Sequence, residues 1–316
     1  MKTVFCLVAV TGLGLAASRA AEPALEFSSL RKLTNSEMLL RLSVSTGSYC
    51  RIDASTNLAQ WNGFVTLWNA GVTQHTDSAA PFLRSRYYRA LTLPGTNIVT
   101  GDHLVTTNTE VVIYPGNHAG LALLWVGRMI YVDPVTNVFR GLPPADLILL
   151  THAHADHLNT TTLNAVKGLN AVIIAPQAVK TALPANLQTI TTVLTNSAST
   201  NWLGVLVEAV PMYNLSSGYH PKGAGNAYVL TLDGRRVYIS GDTDNTPEVR
   251  ALTNIDVAFL CMRPPYSMDV TTAASAVRAF RPRVVYPYHY LGNDVNLFKQ
   301  LVGTDLGIEV RLRSWY

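Results

Sequence analysis

The pattern of apolar and polar positions changes character about a third of the way along the chain. Between residues 24 and 92 the apolar residues fall in short runs at 38–45, 49–54, 64–68, 73–77 and 87–91, separated by Ser, Thr, Asn and Gly. Runs recurring at roughly ten-residue intervals, with no amphipathic helix among them, predict a small all-β sandwich. Pro94, Gly95, Thr96 and Asn97 then interrupt the pattern with turn formers, which bounds this module at residues 24–95.

From Val99 onward β-branched apolar runs come first (111–114, 121–126, 129–132, 147–150, 171–174), and helical stretches are interleaved after them. Residues 160–168 and 176–183 have helical spacing. So do 247–252, where Thr246 can cap and Pro247 can occupy the first turn. Val270, Ala273, Ala274, Val277 and Phe280 form one helical stripe, and Val295, Phe298 and Leu301 begin another. Further strands are expected at 205–210, 227–232, 236–240, 257–261 and 284–288. This mixture predicts a layered α/β domain over residues 99–316.

The first twenty residues are a separate matter. Lys2, an apolar stretch at 4–17 and the small-x-small end Ser18-Arg19-Ala20 have the form of a signal peptide, so a secreted or periplasmic protein is expected. That apolar stretch is shorter than the ~18–20 residues of a membrane span, and no later one is longer, so no stable span is expected. Loss of Lys2 and Arg19 with the leader lowers the formal charge from +4 to +2, too little to indicate a nucleic-acid partner. Outside the leader only Cys50 and Cys261 remain, one in each expected domain, so the fold relies on its core and not on disulfides.

The candidate chemistry follows the apolar run 147–150. Thr151-His152-Ala153-His154-Ala155-Asp156-His157 places three of the chain's eight histidines and an aspartate within six residues. A turn leaving a strand can direct all four side chains into one cleft, where imidazole nitrogens and a carboxylate suit Zn or a similar ion.

At these residues the chain resembles the metallo-β-lactamase superfamily, whose hallmark is HxHxDH at a strand end. Asn117-His118-Ala119 and Met129-Ile130-Tyr131-Val132-Asp133-Pro134 are similar to its opening strands and DP turn. Gly241-Asp242-Thr243-Asp244 resembles its GDT loop, and Val284-Val285-Tyr286-Pro287-Tyr288-His289-Tyr290 the strand that delivers its last histidine. The resemblance implies an αββα metallo-β-lactamase-like sandwich behind the β module, holding two divalent metal ions: Zn, with Mn and Fe accepting the same ligands. By position His152 and His154 would bind one ion, Asp156, His157 and His289 the other, and Asp242 both.

Many members place a further histidine after the strand that corresponds to 205–210. Here that strand runs into Pro211-Met212-Tyr213-Asn214, so either His220 or Asn214 completes the first site. Together with His220-Pro221-Lys222-Gly223, this pattern is similar to the simple metal-dependent hydrolases related to ascorbate-phosphate lactonases. Lys222 belongs either beside an anionic substrate or on a surface turn, and His118 either beside the cleft or in a capped turn. Tyr266 and Met268 are expected as cleft walls. Cys261 is expected in the core, as are the aromatic residues of the module, Trp61, Trp68, Tyr87 and Tyr88.

A metal-activated hydroxide, with Asp156 orienting the water or accepting its proton, suits a small-molecule lactone, ester or phosphodiester. The resemblance sets Asp242 where true lactamases carry Cys or Ser, which leaves β-lactam hydrolysis as a promiscuous side activity. A non-catalytic metal-binding or interaction protein on the same scaffold is the competing reading.

Overall fold

The computed structural model describes residues 9–10, 25–44, 46–69, 73–93, 100–136, 139 and 142–316. Of the leader expected at 1–20 only Ala9–Val10 (β1) is among them, and the break at 94–97 lies outside them. The chain divides into two compact units, Met1–Val105 with Val112–Tyr114, and Thr106–Val111 with Pro115–Tyr316.

In the first unit the strands are β2 (Glu26–Lys32), β3 (Met38–Ser43), β4 (Tyr49–Ser55), β5 (Asn62–Trp68), β6 (Thr73–Asp77), β7 (Tyr87–Leu93) and β8 (Gly101–Val105). One sheet runs β7-β4-β5-β8 and the other β2-β3-β6. Leu40 and Leu42 from one sheet and Ile52, Phe64, Tyr88 and Ala90 from the other share a single core, as the alternation of apolar residues requires. β8 belongs here, past the expected boundary, because it pairs antiparallel with β5 at Val65↔Asp102 and Thr66↔Gly101. Of the four aromatics expected inside, only Tyr88 is fully buried. Trp68 is 48 % exposed at the end of β5, where its ring leans on Tyr49 at 4.8 Å.

β9 (Glu110–Pro115) leads into the second unit, where two sheets are stacked. The first consists of β10 (Leu121–Trp125), β11 (Arg128–Val132), β12 (Ala145–Leu149), β13 (Lys167–Ala175) and β14 (Thr191–Val193), in that order. β10 and β11 form a hairpin through Val126 and Gly127, both left-handed as a type I′ turn needs, and the later pairings are parallel. α1 (Thr160–Val166), α2 (Gln177–Ala182) and α3 (Ala185–Gln188) are its crossovers.

The second sheet is β15 (Ser199–Trp202), β16 (Val205–Met212), β17 (Gly225–Leu232), β18 (Arg235–Ile239), β19 (Val257–Cys261), β20 (Val284–Tyr288) and β21 (Glu309–Val310). It is antiparallel as far as β18 and parallel beyond, with α4 (Pro247–Arg250), α5 (Val270–Phe280) and α6 (Val295–Val302) in the crossovers. β17 is buried on both faces apart from Thr231. The Tyr228 hydroxyl donates to Leu150 O at 2.8 Å and Asn226 Nδ2 to Leu194 O at 2.7 Å, which ties the two sheets together. The result is the layered α/β arrangement that the mixed pattern implies.

Helix ends follow local chemistry. Thr246 caps α4 through Val249 N and Asp269 caps α5 through Thr272 N, while the expected helix 247–252 stops at Arg250. Among the described residues no helix is long and apolar enough to cross a membrane.

Candidate metal centre

The candidate residues stand one to three positions past the C-terminal ends of strands: Thr151 and His152 after β12, Asp242 after β18 and His289 after β20. Asp133 after β11, Asn214 after β16 and Arg263 after β19 occupy the same kind of position. There the backbone is anchored by a rigid sheet on one side and free to turn on the other.

Three sets of donor atoms converge, each set lying within 4.8 Å: His152, His154 and His220; His152, His157 and Asp242; Asp156, His157 and His289. All seven residues expected as ligands are therefore assembled. Four of the five histidines and Asp242 are buried, His154 is exposed and Asp156 is half-buried.

The spacing fits an ion. Zn–N bonds of about 2.0–2.1 Å in a tetrahedron set neighbouring ligand atoms about 3.3 Å apart. His154 Nδ1 lies 3.1 Å from His220 Nε2, and His157 Nε2 lies 3.2 Å from His289 Nε2. The Asp242 carboxylate lies between the groups, with Oδ1 3.4 Å from His157 Nε2 and Oδ2 3.3 Å from His289 Nε2 and 3.9 Å from His220 Nε2. Asp156 Oδ2 is 3.5 Å from His289 Nε2.

The surrounding hydrogen bonds turn bare nitrogens inward. An amide oxygen only accepts, so Asn214 Oδ1, 2.8 Å from His220 Nδ1, keeps the proton there and leaves Nε2 free. Asp133 Oδ2 does the same for His157 through Nδ1 at 2.8 Å. Thr151 Oγ1 donates to Asp133 Oδ2 at 2.6 Å, so it accepts from His152 Nδ1 at 3.0 Å. His152 Nε2 and Asp242 Oδ1 are then buried with no hydrogen-bond partner among the described residues, which is costly unless a cation completes the set.

The electrostatics agree. Burial, reinforced by repulsion from His157, holds His152 well below the usual imidazole range and thus neutral. His157 goes the other way: burial opposes its charge, but Asp242 and Asp133 push it up to about 10. Asp242 stays ionised despite burial, held well below the carboxylate range by His157 and His289. Burial lowers His220 and His118 as well.

Three of the turns at the site take left-handed backbone. Asp133, His118 and His289 are non-glycine residues at φ 41°, 53° and 48°. His289 N donates to His118 O at 3.1 Å and His118 N to Trp315 O at 3.1 Å, so these turns brace one another. Gly241 adopts φ +54°, and a Cβ there would meet Met212 Sδ at 2.6 Å and Thr151 Cβ at 3.1 Å. Gly241→Ala is expected to cost about 1–2 kcal/mol from the left-handed backbone alone and more from the contact. Thermal melting checks this, and an unchanged midpoint would show that the turn relaxes freely.

Outside the cluster the expectations divide. His118 both sits in a turn and lines the cleft, its ring edge-on to His289 at 5.7 Å. Tyr266 is a cleft wall, but Met268 is buried in the core. Asn214 supports His220 instead of joining the ligands. Lys222 is turned to the surface, where Glu248 Oε1 at 2.5 Å and the Tyr213 ring at 4.7 Å engage it. Cys261 is a core residue whose thiol burial pushes up to about 12. Sequence reasoning assigned no role to Asp133, Thr151, Arg263 or Tyr219. Asp133 at least carried a signal, a charged residue ending an apolar strand.

The family described as a beta-lactamase superfamily domain matches residues 113–289, over half the chain. A metal-dependent hydrolase of Thermococcus onnurineus is 36% identical over 169 residues, covering 50% of this chain and 75% of that protein. One from Thermoplasma acidophilum is 31% identical over 181 residues, 54% of this chain and 80% of that protein. Among solved structures, a protein of Parabacteroides distasonis assigned as a metal-dependent hydrolase superposes with a TM-score of 0.64 at 39% identity, covering 67% of this chain and 97% of that one. A metallo hydrolase of Ignicoccus hospitalis shares the fold, with a TM-score of 0.55 at 23% identity over 64% of this chain and 94% of that one.

Proposed function

The chain belongs to the metallo-β-lactamase superfamily as a metal-dependent hydrolase, and on that premise we propose that it uses two divalent ions, Zn in the first instance, to hydrolyse a small-molecule lactone, ester or phosphodiester. The observation that carries this reading is the run of three donor sets, the middle one with Asp242 sharing His152 with the first and His157 with the last, and His152 Nε2 buried and unpaired. His152, His154 and His220 would hold one ion, Asp156, His157 and His289 the other, and Asp242 both. Divalent cations supply two things here: a lowered pKa for bound water and a Lewis acid for the electrophile's oxygen.

The chain's own residues prepare that chemistry. Asn214, Thr151 and Asp133 fix the tautomers of His220, His152 and His157, so no reorientation is needed when substrate arrives. Asp156 is half-buried at the cleft and, although burial opposes it, His157 and His289 hold its carboxyl below the usual range. It can therefore accept a hydrogen bond from an attacking water at neutral pH. The leader read at residues 1–20 extends the proposal to an exported protein.

Elemental analysis of the purified protein beside a panel of lactone, ester, phosphodiester and β-lactam substrates tests the reading. About two metal ions per chain, and turnover of one of the first three classes that chelation abolishes and Zn restores, are expected. No bound metal and no turnover would instead favour a binding protein on the same scaffold, and β-lactam turnover alone would reverse the substrate assignment.

A further inference from the structure

We infer that Arg263 is the residue that selects the substrate, and that the substrate carries an oxyanion, a carboxylate or phosphate, beside its scissile bond. The inference rests on the hydrolase reading above and adds the substrate's charge to it.

The cleft of about 580 Å³ beside the ligand cluster is lined by one arginine, Arg263, and by two tyrosines, Tyr219 and Tyr266. Arg263 Nη1 donates to Asp156 Oδ2 at 2.9 Å. Its Nε and Nη2 donate to no described residue. Those two form the side edge of the guanidinium, a pair of parallel N–H donors that matches the two oxygens of a carboxylate or phosphate. The arginine thus has one donor engaged at a candidate ligand and a complete bidentate edge left over. That geometry sets the anion within a few ångströms of the reacting group.

Arg263 is also held in place. It begins the turn Arg263-Pro264-Pro265-Tyr266-Ser267, in which its N donates to Ser267 Oγ at 2.9 Å and its O accepts from Tyr266 N and Ser267 N, each at 2.9 Å. Asn214 Nδ2 donates to Tyr266 O at 3.0 Å, so the residue that orients His220 also anchors this turn. The guanidinium lies 5.6 Å from the centre of the Tyr266 ring, which packs against Tyr219 at 4.8 Å. Both rings are more than a third exposed, at 40% and 46%, an apolar surface left open next to the reactive groups. A compact anion with a ring or short alkyl body fits these walls. Lys222, the other cation near these loops, is turned away to Glu248 and does not line the cleft.

The test compares matched substrates that differ in charge: γ-butyrolactone against its 5-carboxylate, and 4-nitrophenyl butyrate against mono-4-nitrophenyl glutarate. In the metal-loaded wild type the anionic member is expected to have the higher kcat/KM. In Arg263→Gln the anionic-to-neutral ratio should fall roughly tenfold to hundredfold, mostly through KM, since a hydrogen-bonded charge is lost from the bound substrate. Arg263→Lys, which keeps the charge and loses the fork, should recover part of the ratio. A ratio unchanged in Arg263→Gln, with both substrates slowed alike, would overturn the inference and leave Arg263 only a support for Asp156.

A second arm does not depend on turnover. Calorimetric titration with glutarate, with inorganic phosphate and with glutaramide should show the first or second binding the wild type tightly and Arg263→Gln at least tenfold more weakly, the stronger of the two naming carboxylate or phosphate. Equal anion binding by both proteins overturns the inference even if neither substrate pair is hydrolysed, whereas absent hydrolysis with Arg263-dependent anion binding counts only against the hydrolase reading.

Discussion

Asp242→Ala protein is expected to keep at most one tightly bound metal ion and to hydrolyse its substrate at least about a thousandfold more slowly, equivalent to roughly 4 kcal/mol of lost transition-state stabilisation. Asp242 is 3 % exposed, and its two oxygens face His157, His289 and His220 at 3.3–3.9 Å. Among the described residues it is the one carboxylate that approaches histidines of both ligand sets. Without it, two cations would have to share a pocket of neutral imidazoles with only Asp156 to offset their charge. The metal-free fold should suffer as well, because His157 owes part of its raised pKa to Asp242, and removing one partner of a buried charge pair costs about 3–5 kcal/mol. Asp242→Asn keeps the volume and loses the charge, so it should be metal-poor and share the charge-pair loss without the cavity that Ala adds. Elemental analysis, kcat/KM and circular dichroism on the two variants check this, and full metal content with full activity in Asp242→Asn would remove Asp242 from the centre.

What could be read from the sequence follows the range of the interaction involved. HxHxDH was legible because its residues are consecutive and follow the apolar run 147–150, so a single turn presents them. The helix at Val270–Phe280 was legible for the same local reason, five apolar positions at helical spacing. Short strands such as Thr191–Val193 and Ser199–Trp202 were not, because they are defined by their partners and their own side chains carry little pattern. The choice between His220 and Asn214 stayed open in sequence because the two lie six residues apart on one loop. Only the folded loop, with Asn214 N donating to His220 O and Asn214 Oδ1 behind the ring, shows that one supports the other. Lys222 and Arg263 illustrate the converse. Lys222 shares a loop with His220 but has a closer anion in Glu248, whereas Arg263 had no motif and reaches Asp156 only because β12 and β19 end at the same cleft.

The second large effect is expected at Asp133, which no ligand motif picks out. Its carboxylate is fully buried and accepts from Thr151 N at 2.8 Å, Thr151 Oγ1 at 2.6 Å and His157 Nδ1 at 2.8 Å. It therefore orients His157 directly and, through Thr151, also His152, one imidazole from each ligand set. β11 and β12 are parallel neighbours with Val132 opposite Leu149, and this non-local register brings Asp133 beside Thr151. Asp133→Asn keeps the shape but turns an accepting oxygen into a donor, and is expected to weaken metal binding roughly tenfold to hundredfold. Asp133→Ala also leaves Thr151 N and a charged His157 buried without their partner, and should lose about 3–5 kcal/mol of stability in the metal-free protein. The pH dependence adds a check on cause. Asp133 helps to push His157 up to about 10, so in the wild type a proton competes with metal for Nε2 below that pH. In Asp133→Asn the competing proton is held less tightly, which offsets part of the lost affinity at low pH and none of it once both proteins are deprotonated. The affinity penalty should therefore widen as pH rises from 6 to 9, measured by competition with a chromophoric chelator. A penalty that stays flat across this range would mean that Asp133 acts through Thr151 and packing, and not through the charge state of His157.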